Sequence, residues 1–374
     1  MSVTRAGRPA RLLLAVAAAA LLPVGSRPVR AHDPVDINVS FNREVVRILQ
    51  RKCSACHAAG ALSIPLTDYR DVRAWGRAIR EELVEHRMPP AIVAPGYGRY
   101  ESDPGLSTRE LETLLVWLDG GMPRGDDADR PAPPPAPDQL PDTSQSVTIP
   151  LPPQTIPAGE DVVIRRVTVD AGPAAGRSAA RVELRPGNRR VVRGARVFVG
   201  EQWLGAWLPW QHTIAPPASH AFALPARARF TVDLHYRGAG ATEVDQSAIE
   251  VSFAGDTAVR RVDDFVIEAT IRKGAHARGR AQLRGETTIW ALYPAFDASV
   301  KSLELRAERP DGAAEVLLWI PQARPEWPLA LVMRQPLSLP AGSLISLIAE
   351  TDGSTRAATP RVTLSVLQEM PRSR

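Results

Sequence analysis

The feature that most constrains this fold is a proline-rich segment, residues 127–145, which separates two parts of the chain with different patterns. Its prolines are Pro131, Pro133, Pro134, Pro135, Pro137 and Pro141. Proline has a fixed φ and no backbone N–H, so the segment favours polyproline II and cannot continue a helix or a central strand. We therefore predict a semi-rigid linker between two differently organised regions.

Residues 32–126 have the apolar spacing of helices. Apolar side chains recur three or four positions apart in three stretches, 42–51, 68–85 and 107–119. The last stretch opens with a capping-box pattern, since Glu110 follows Ser107 by three positions, and it ends at a pair of glycines. We predict an all-helical domain over these residues.

From residue 146 the pattern changes to short strands separated by turns. Runs rich in Val and Ile predict strands at 162–169, 190–199, 230–236, 249–253, 265–271, 300–308 and 315–320. A weak repeat of Leu-Pro-Ala at 224–226 and 339–341, with Gly and Pro near Gly255, indicates two units. The predicted fold class is α then β: an all-α domain followed by two antiparallel, jelly-roll-like β-sandwiches, residues 146–257 and 258–374.

Residues 1–31 have the pattern of a secretory signal peptide. Basic residues precede an apolar run, 12–24, whose 13 residues are fewer than the roughly 20 that span a bilayer. Val29-Arg30-Ala31 then supplies a cleavage site. We expect cleavage after Ala31 and a periplasmic protein with no transmembrane span in its mature chain. An uncleaved anchor is the alternative.

The formal net charge of +5 comes from this leader. Residues 1–31 contain five of the 46 basic residues and no acidic ones, so the remaining chain has 41 basic and 41 acidic residues. A neutral mature chain gives no reason to expect a nucleic-acid partner.

The only two cysteines lie in one motif, Cys53-Ser54-Ala55-Cys56-His57. In C-x-x-C-H, both thiols form thioethers with haem vinyl groups and the adjacent histidine binds the iron. A thioredoxin-like redox pair would follow a strand in a βαβ unit, and a structural zinc site would need four protein ligands. We therefore predict one haem c, bound covalently by Cys53 and Cys56, with His57 as an iron ligand.

Met88 is the predicted second axial ligand. It lies in a loop, His86-Arg87-Met88-Pro89-Pro90, whose prolines cannot extend the preceding helix. A thioether ligand favours ferrous iron and raises the reduction potential. Three alternatives remain open: His86, Met122 and a coordination position without a protein ligand.

Residues 41–121 resemble a class I cytochrome c domain. The resemblance rests on the haem motif and on three other features: the apolar positions Phe41, Val45 and Ile48, the methionine loop at 87–90, and Leu114-x-x-Trp117-Leu118-x-x-Gly121. It implies haem c, an all-helical fold and electron transfer.

Residues from about 150 onward resemble, more faintly, the copper type II ascorbate-dependent monooxygenases, which include peptidylglycine and dopamine hydroxylating enzymes. The resemblance is carried by 191–198, Leu234-His235-Tyr236, Pro310-Asp311-Gly312 and 339–342. It implies two β-sandwiches with one copper on each.

Most of that family's metal ligands are missing from this chain. Arg193-Gly194 stands where the family has a histidine pair, and 294–298 stands where it has His-x-His. Among the matched positions for the first copper, only His235 remains, and a guanidinium cannot bind copper in its place. The second copper also lacks a convincing methionine. We do not expect bound copper, although His212 and His220 leave an unusual copper site as an alternative.

Trp203, Trp207 and Trp210 lie close together in the sequence. Aromatic residues concentrate at interfaces, which favours a docking surface, but their large apolar area also suits a protein core.

We predict a periplasmic electron-transfer protein, more an electron carrier than an enzyme, whose β region binds a redox partner of unknown identity. One alternative is an active copper-dependent monooxygenase that receives electrons from the haem. Another is a haem-bearing structural or sensing subunit of a complex.

Overall fold

The structure, a computed structural model, describes residues 39–368 apart from 62, 91–92, 95, 102–104, 133–145, 160, 212–213, 255–259, 272–274 and 354–358. The predicted signal peptide, most of the predicted linker and His212 lie outside the described residues. The described residues belong to one compact unit. We call residues 39–132 the helical segment and residues 146–368 the β half.

The helical segment contains short helices joined by long loops. A π-helical turn, Phe41–Val45, leads into α1 Val46–Lys52 and α2 Ser54–His57, which are followed by α3 Tyr69–Ala74, α4 Gly76–Val84 and α5 Thr108–Asp119. Ser107 and Glu110 form the predicted capping box at the start of α5. No helix in the described residues is long and apolar enough to cross a membrane.

The two ends of the helical segment meet around Phe41. Its ring is fully buried and lies 5.4 Å from the ring of Tyr69 and 5.9 Å from that of Trp117, between centroids. The backbone N–H of Phe41 donates to the carbonyl of Pro123 at 3.0 Å. This contact closes α1 against the chain that leaves α5.

The β half contains nineteen strands in its described residues. In chain order they are β1 Ser146–Pro150, β2 Gln154–Ile156, β3 Val162–Asp170, β4 Ser178–Arg185, β5 Val192–Val199, β6 Gln202–Trp207, β7 His220–Ala223, β8 Arg229–Arg237, β9 Glu243–Asp245, β10 Ala248–Phe253, β11 Arg260–Glu268, β12 Thr270–Ile271, β13 His276–Gln282, β14 Thr287–Ala295, β15 Val300–Glu308, β16 Ala314–Ile320, β17 Leu331–Leu339, β18 Leu344–Thr351 and β19 Arg361–Leu367.

An eight-stranded sheet, in the order β1-β10-β4-β7-β11-β19-β14-β17, runs through the β half. One end of it shares a hydrophobic core with the four-stranded sheet β3-β8-β5-β6. The other end shares a second core with the five-stranded sheet β12-β13-β18-β15-β16, and β2 pairs with β9. A short parallel pairing of β7 with β11 joins the two ends.

The predicted fold class, an all-α domain followed by two antiparallel β-sandwiches, is wrong. Of the described residues 44% lie in strands and 17% in helices, and the longest of these helices has only 12 residues. The predicted sandwiches share the eight-stranded sheet, and Trp290 and Tyr293 of the second belong to the core of the first. The edge strands β7 and β11 of the two predicted sandwiches pair with each other, so that their backbone groups are hydrogen-bonded. This pairing joins the two units into one.

The helical segment is not a separate all-α domain either, because part of it packs on the β half. Tyr100 forms a β-bridge with Met333 and is buried in the second core of the β half. The backbone N–H of Ala94 donates to the carbonyl of Trp319 at 2.8 Å, and the ring of Tyr97 lies 4.9 Å from that of Trp319. Helices this short bury too little apolar surface on their own, so the segment completes its packing on the strands.

Candidate functional site

The two cysteines and His57 project from one continuous helical turn. The N–H of Cys53 donates to the carbonyl of Leu49 at 2.9 Å, and the N–H of His57 donates to that of Cys53 at 3.0 Å. Residues three and four positions apart share a helix face, so Cys53, Cys56 and His57 lie on the same side. All three line one cavity.

The His57 imidazole is prepared to bind a metal. Its Nδ1 lies 2.8 Å from the carbonyl oxygen of Ile64. A carbonyl only accepts, so Nδ1 carries the proton and Nε2 keeps its lone pair. Burial lowers the pKa of His57, which favours the neutral ring that metal binding requires. Such a hydrogen bond also fixes the ring orientation of ligating histidines.

The thiols are unsuited to redox exchange. Cys53 and Cys56 are not joined in a disulfide, and burial raises the pKa of each thiol to about 12. Reactive dithiols depend on a lowered pKa and a thiolate. This environment argues against the thioredoxin-like alternative.

The cavity has a volume of about 440 Å³ and is mostly apolar. Pockets for small molecules and cofactors usually enclose about 300–1,000 Å³. The helical segment contributes the apolar walls, from Leu49, Ala55, Ile64, Leu66, Trp75, Ala78, Ile79, Leu83, Pro89, Pro90 and Leu114.

Met88 lines this same cavity. His86, by contrast, is exposed at the end of α4. Met122 packs into the helical core, where a Cβ added to Gly76 would lie 2.5 Å from its sulfur. Among the three predicted candidate ligands, the described cavity lining includes only Met88.

Ion pairs and backbone contacts hold the methionine loop. The Arg87 guanidinium pairs with Glu82 at 3.0 Å and with Glu81 at 3.2 Å. From the β half, the Arg324 guanidinium donates to the carbonyl oxygens of Arg87 at 2.9 Å and His86 at 3.3 Å. Both regions of the molecule therefore position Met88.

The β half also supplies one wall of the cavity, which the sequence patterns did not indicate. This wall consists of Arg193, Trp210, Arg237 and Trp327. The indole rings of Trp210 and Trp327 lie 4.9 Å apart, and the Arg193 guanidinium carbon lies 4.9 Å from the centre of the Trp327 ring. The last distance is that of a cation–π contact.

Arg193 occupies a β-bulge. The register between β5 and β8 shifts there, because Val192 pairs with Tyr236 while Gly194 pairs with His235. Bulges redirect side chains and are frequent beside functional sites. Pro328 lies against the next position, where a Cβ added to Gly194 would approach within 2.5 Å of the proline Cγ. The bulge holds Arg193 at the cavity, and the loop that contains Trp327 and Pro328 holds Trp327 there.

Arg193 is also electrostatically unusual. Its Nε is buried and has no hydrogen-bond partner. Burial lowers the pKa of Arg193, as does the positive charge of Arg237, while Glu326 and Cys56 act in the opposite direction. A guanidinium remains protonated under these conditions. The cavity wall therefore carries a positive charge whose Nε has no hydrogen-bond partner.

The positions matched to the copper enzymes have a different environment. The Nε2 of His235 lies 3.1 Å from the Arg196 guanidinium, and burial, followed by the charge of Arg196, lowers the pKa of His235 to about 3. His220 instead contacts Ser219 and the carbonyl of Gln368. Within the described ranges, no three His, Cys, Asp or Glu side chains form a group that could hold a metal ion.

The tryptophan cluster is divided between two roles. Trp203 and Trp207 are buried in the first core of the β half, where the ring of Trp203 stacks on that of Tyr293 at 5.5 Å. Their burial supports core packing rather than docking. Trp210, in contrast, is half-buried at the cavity wall.

Comparisons with known proteins add no assignment. No protein-family model matches the chain, and no curated protein sequence matches it. Structural similarity extends to the major capsid protein P2 of bacteriophage PM2, with 9% identity, a TM-score of 0.25, and coverage of 61% of this chain and 99% of that one. A xanthan lyase of Paenibacillus follows, with 11% identity, a TM-score of 0.19, and coverage of 56% and 23%. The PBSX exported protein XepA has 12% identity, a TM-score of 0.18, and coverage of 59% and 86%. Scores this low carry no argument about this chain.

Proposed function

We propose that this protein is an exported, mono-haem c-type cytochrome that transfers electrons in the periplasm. The observation that carries the proposal is the single cavity into which Cys53, Cys56, His57 and Met88 all project. Two thiols, an imidazole and a thioether around an apolar space are the donor set of haem c. The signal-peptide pattern of residues 1–31 supports the location.

In this proposal each side chain has a defined task. The thiols of Cys53 and Cys56 would hold the haem through thioether bonds to its vinyl groups. His57 offers Nε2 to the iron while the carbonyl of Ile64 holds the ring. Met88 offers its sulfur from the loop that Arg87 and Arg324 hold.

The bound haem supplies one-electron exchange between ferric and ferrous iron. Apolar side chains of the helical segment, together with Trp210 and Trp327, would line the space around the haem. Electrons then pass to or from a redox partner protein. We assign no nucleic acid and no copper to this function.

The test is covalent haem in the full-length protein, produced in cells with cytochrome c maturation. A denaturing gel stained for haem peroxidase activity should show a haem-bearing band. Cys53→Ser or Cys56→Ser should weaken it strongly. Ser54→Ala is the matched control, because Ser54 lies inside the motif and its hydroxyl only donates to the carbonyl of Gln50. A wild-type band without haem would refute the proposal.

A further inference from the structure

We infer that the β half raises the reduction potential of the haem through Arg193, whose guanidinium forms part of the cavity wall. The inference rests on the proposed function. It adds that the strands raise the reduction potential of the haem as well as lining its cavity. The predicted iron ligands themselves all come from the helical segment.

Several features of the structure fix the position of Arg193. The bulge between Val192 and Gly194 places Arg193 at the cavity, and its guanidinium carbon lies 4.9 Å from the centre of the Trp327 ring. Pro328, which follows Trp327 in the chain, packs against Gly194. A side chain fixed by a bulge, a ring and a loop keeps its charge in one place.

The charge acts on the iron because it is weakly compensated. The Arg193 Nε is buried without a hydrogen-bond partner, and Trp210 and Trp327 line the same wall. Other charged groups at the lining are Lys52, Arg237 and Glu82, and Glu82 is paired with Arg87. Charges interact strongly where water does not screen them.

The sign follows from charge balance. Reduction of ferric to ferrous haem lowers the positive charge of the iron centre by one. A neighbouring cation therefore favours the reduced form, and the midpoint potential rises. Arg193 lines the same cavity as Cys56, a predicted attachment point of the haem.

The experiment is a spectroelectrochemical titration of the full-length holoprotein. Arg193→Gln should lower the midpoint potential, and Arg193→Lys should keep most of the wild-type value. Arg306→Gln is the matched control, because it removes the same charge from an exposed pair with Glu304 in the β half. It should leave the potential unchanged.

Glu326→Gln provides a second, opposite test. Glu326 partly compensates Arg193, so its neutralisation should raise the potential. If Arg193→Gln behaves like Arg306→Gln, or if the Gln and Lys variants shift the potential equally, charge is not the cause and the inference is overturned. If Arg193→Gln yields too little holoprotein, an unchanged potential in Glu326→Gln overturns it. A haem-free wild-type protein would instead refute the proposed function.

Discussion

The helical segment and the β half differ in how completely each fills its own interior. Among the described residues, the helical core contains eleven buried apolar residues, whereas the two cores of the β half contain 32 and 25. The helical residues line most of a cavity of about 440 Å³, while the strands bury large rings such as Trp203 and Trp290 against each other. The helical segment therefore borders a space that a haem could occupy, whereas the β half fills its interior with its own side chains.

The largest effect we predict follows from preventing haem attachment. In a Cys53→Ser/Cys56→Ser double variant, the helices should lose most of their protection against hydrogen exchange, because their core is incomplete. The strands should retain theirs. Hydrogen exchange read by mass spectrometry over α1, α5, β8 and β19 measures both regions in one sample.

Ser54→Ala, which keeps the haem, should exchange like wild type. Equal protection of α1 and α5 with and without haem would show that the helical segment is self-sufficient, and it would break the comparison.

Met88→Ala should have the next largest effect, confined to the redox centre. Loss of the thioether ligand should abolish the near-infrared sulfur-to-iron absorption of the ferric protein and lower its potential. The free energy of unfolding of the β half should change by less than about 0.5 kcal/mol. Absorption spectroscopy and denaturant titration measure the two quantities.

His86→Ala is the control for this variant, because His86 is exposed and outside the cavity lining. It should preserve the absorption band. A Met88→Ala protein with an unchanged spectrum would transfer the ligand role to His86 or Met122. A wild-type spectrum typical of an open coordination position would favour a ligand-sensing subunit.

Several of these site residues were predictable because their signals are local. C-x-x-C-H predicts haem attachment within five residues, and the Pro-Pro pair after Met88 predicts the ligand loop; Cys53, Cys56, His57 and Met88 all line one cavity. The strand β15, Val300–Glu308, coincides with the prediction because its burial alternates along the chain. The carbonyl partner of His57 also lies only seven residues away.

The errors concern contacts between distant residues. Two residue pairs, Arg260 with His220 and Arg261 with Ala221, join the two predicted sandwiches. So short a pairing produces no periodic pattern in the sequence. Tyr100 reaches Met333 across more than two hundred residues. The sequence identifies Arg193 only as a residue that cannot bind copper, since no sequence pattern predicts a bulge that turns it toward a cavity formed by another segment.

A smaller effect, confined to the β half, should come from pH. Glu183 is buried on β4, and burial raises its pKa to about 7, although Arg185 and Arg181 act in the opposite direction and the Arg181 guanidinium lies 3.8 Å from its Oε2. The unfolded value is about 4.3, so the stabilising contribution of the protonated form is complete below that pH and is lost as the pH rises through 7. We expect the β half to lose about 1–3 kcal/mol between pH 5 and pH 8 from this group.

Glu183→Gln should remove that part of the pH dependence, which urea titrations at several pH values would measure. Glu268→Gln, at an exposed position on β11, should leave it intact. The haem spectrum should remain constant in both variants. Identical pH profiles for wild type and Glu183→Gln would mean that the carboxylate is tolerated in the folded β half.

The smallest effect we predict is that of copper. Catalytic copper needs several His or Met ligands with an open position. At the matched positions this chain has Arg193, Gly194 and His235, and the His235 Nε2 faces the Arg196 guanidinium at 3.1 Å, a cation that repels a metal ion. The low pKa of His235 keeps its ring neutral, but Nε2 can bind copper only if Arg196 is displaced. A ligand that does not bind the folded state adds no stability. Copper at micromolar excess should therefore shift the unfolding free energy of the β half by less than about 0.5 kcal/mol, with EDTA-treated protein as the reference.

Elemental analysis of the purified protein should find iron without stoichiometric copper. Two tightly bound coppers per chain, or ascorbate-driven hydroxylation that His235→Ala abolishes, would make the β half an active oxygenase and reverse its comparison with the helical segment.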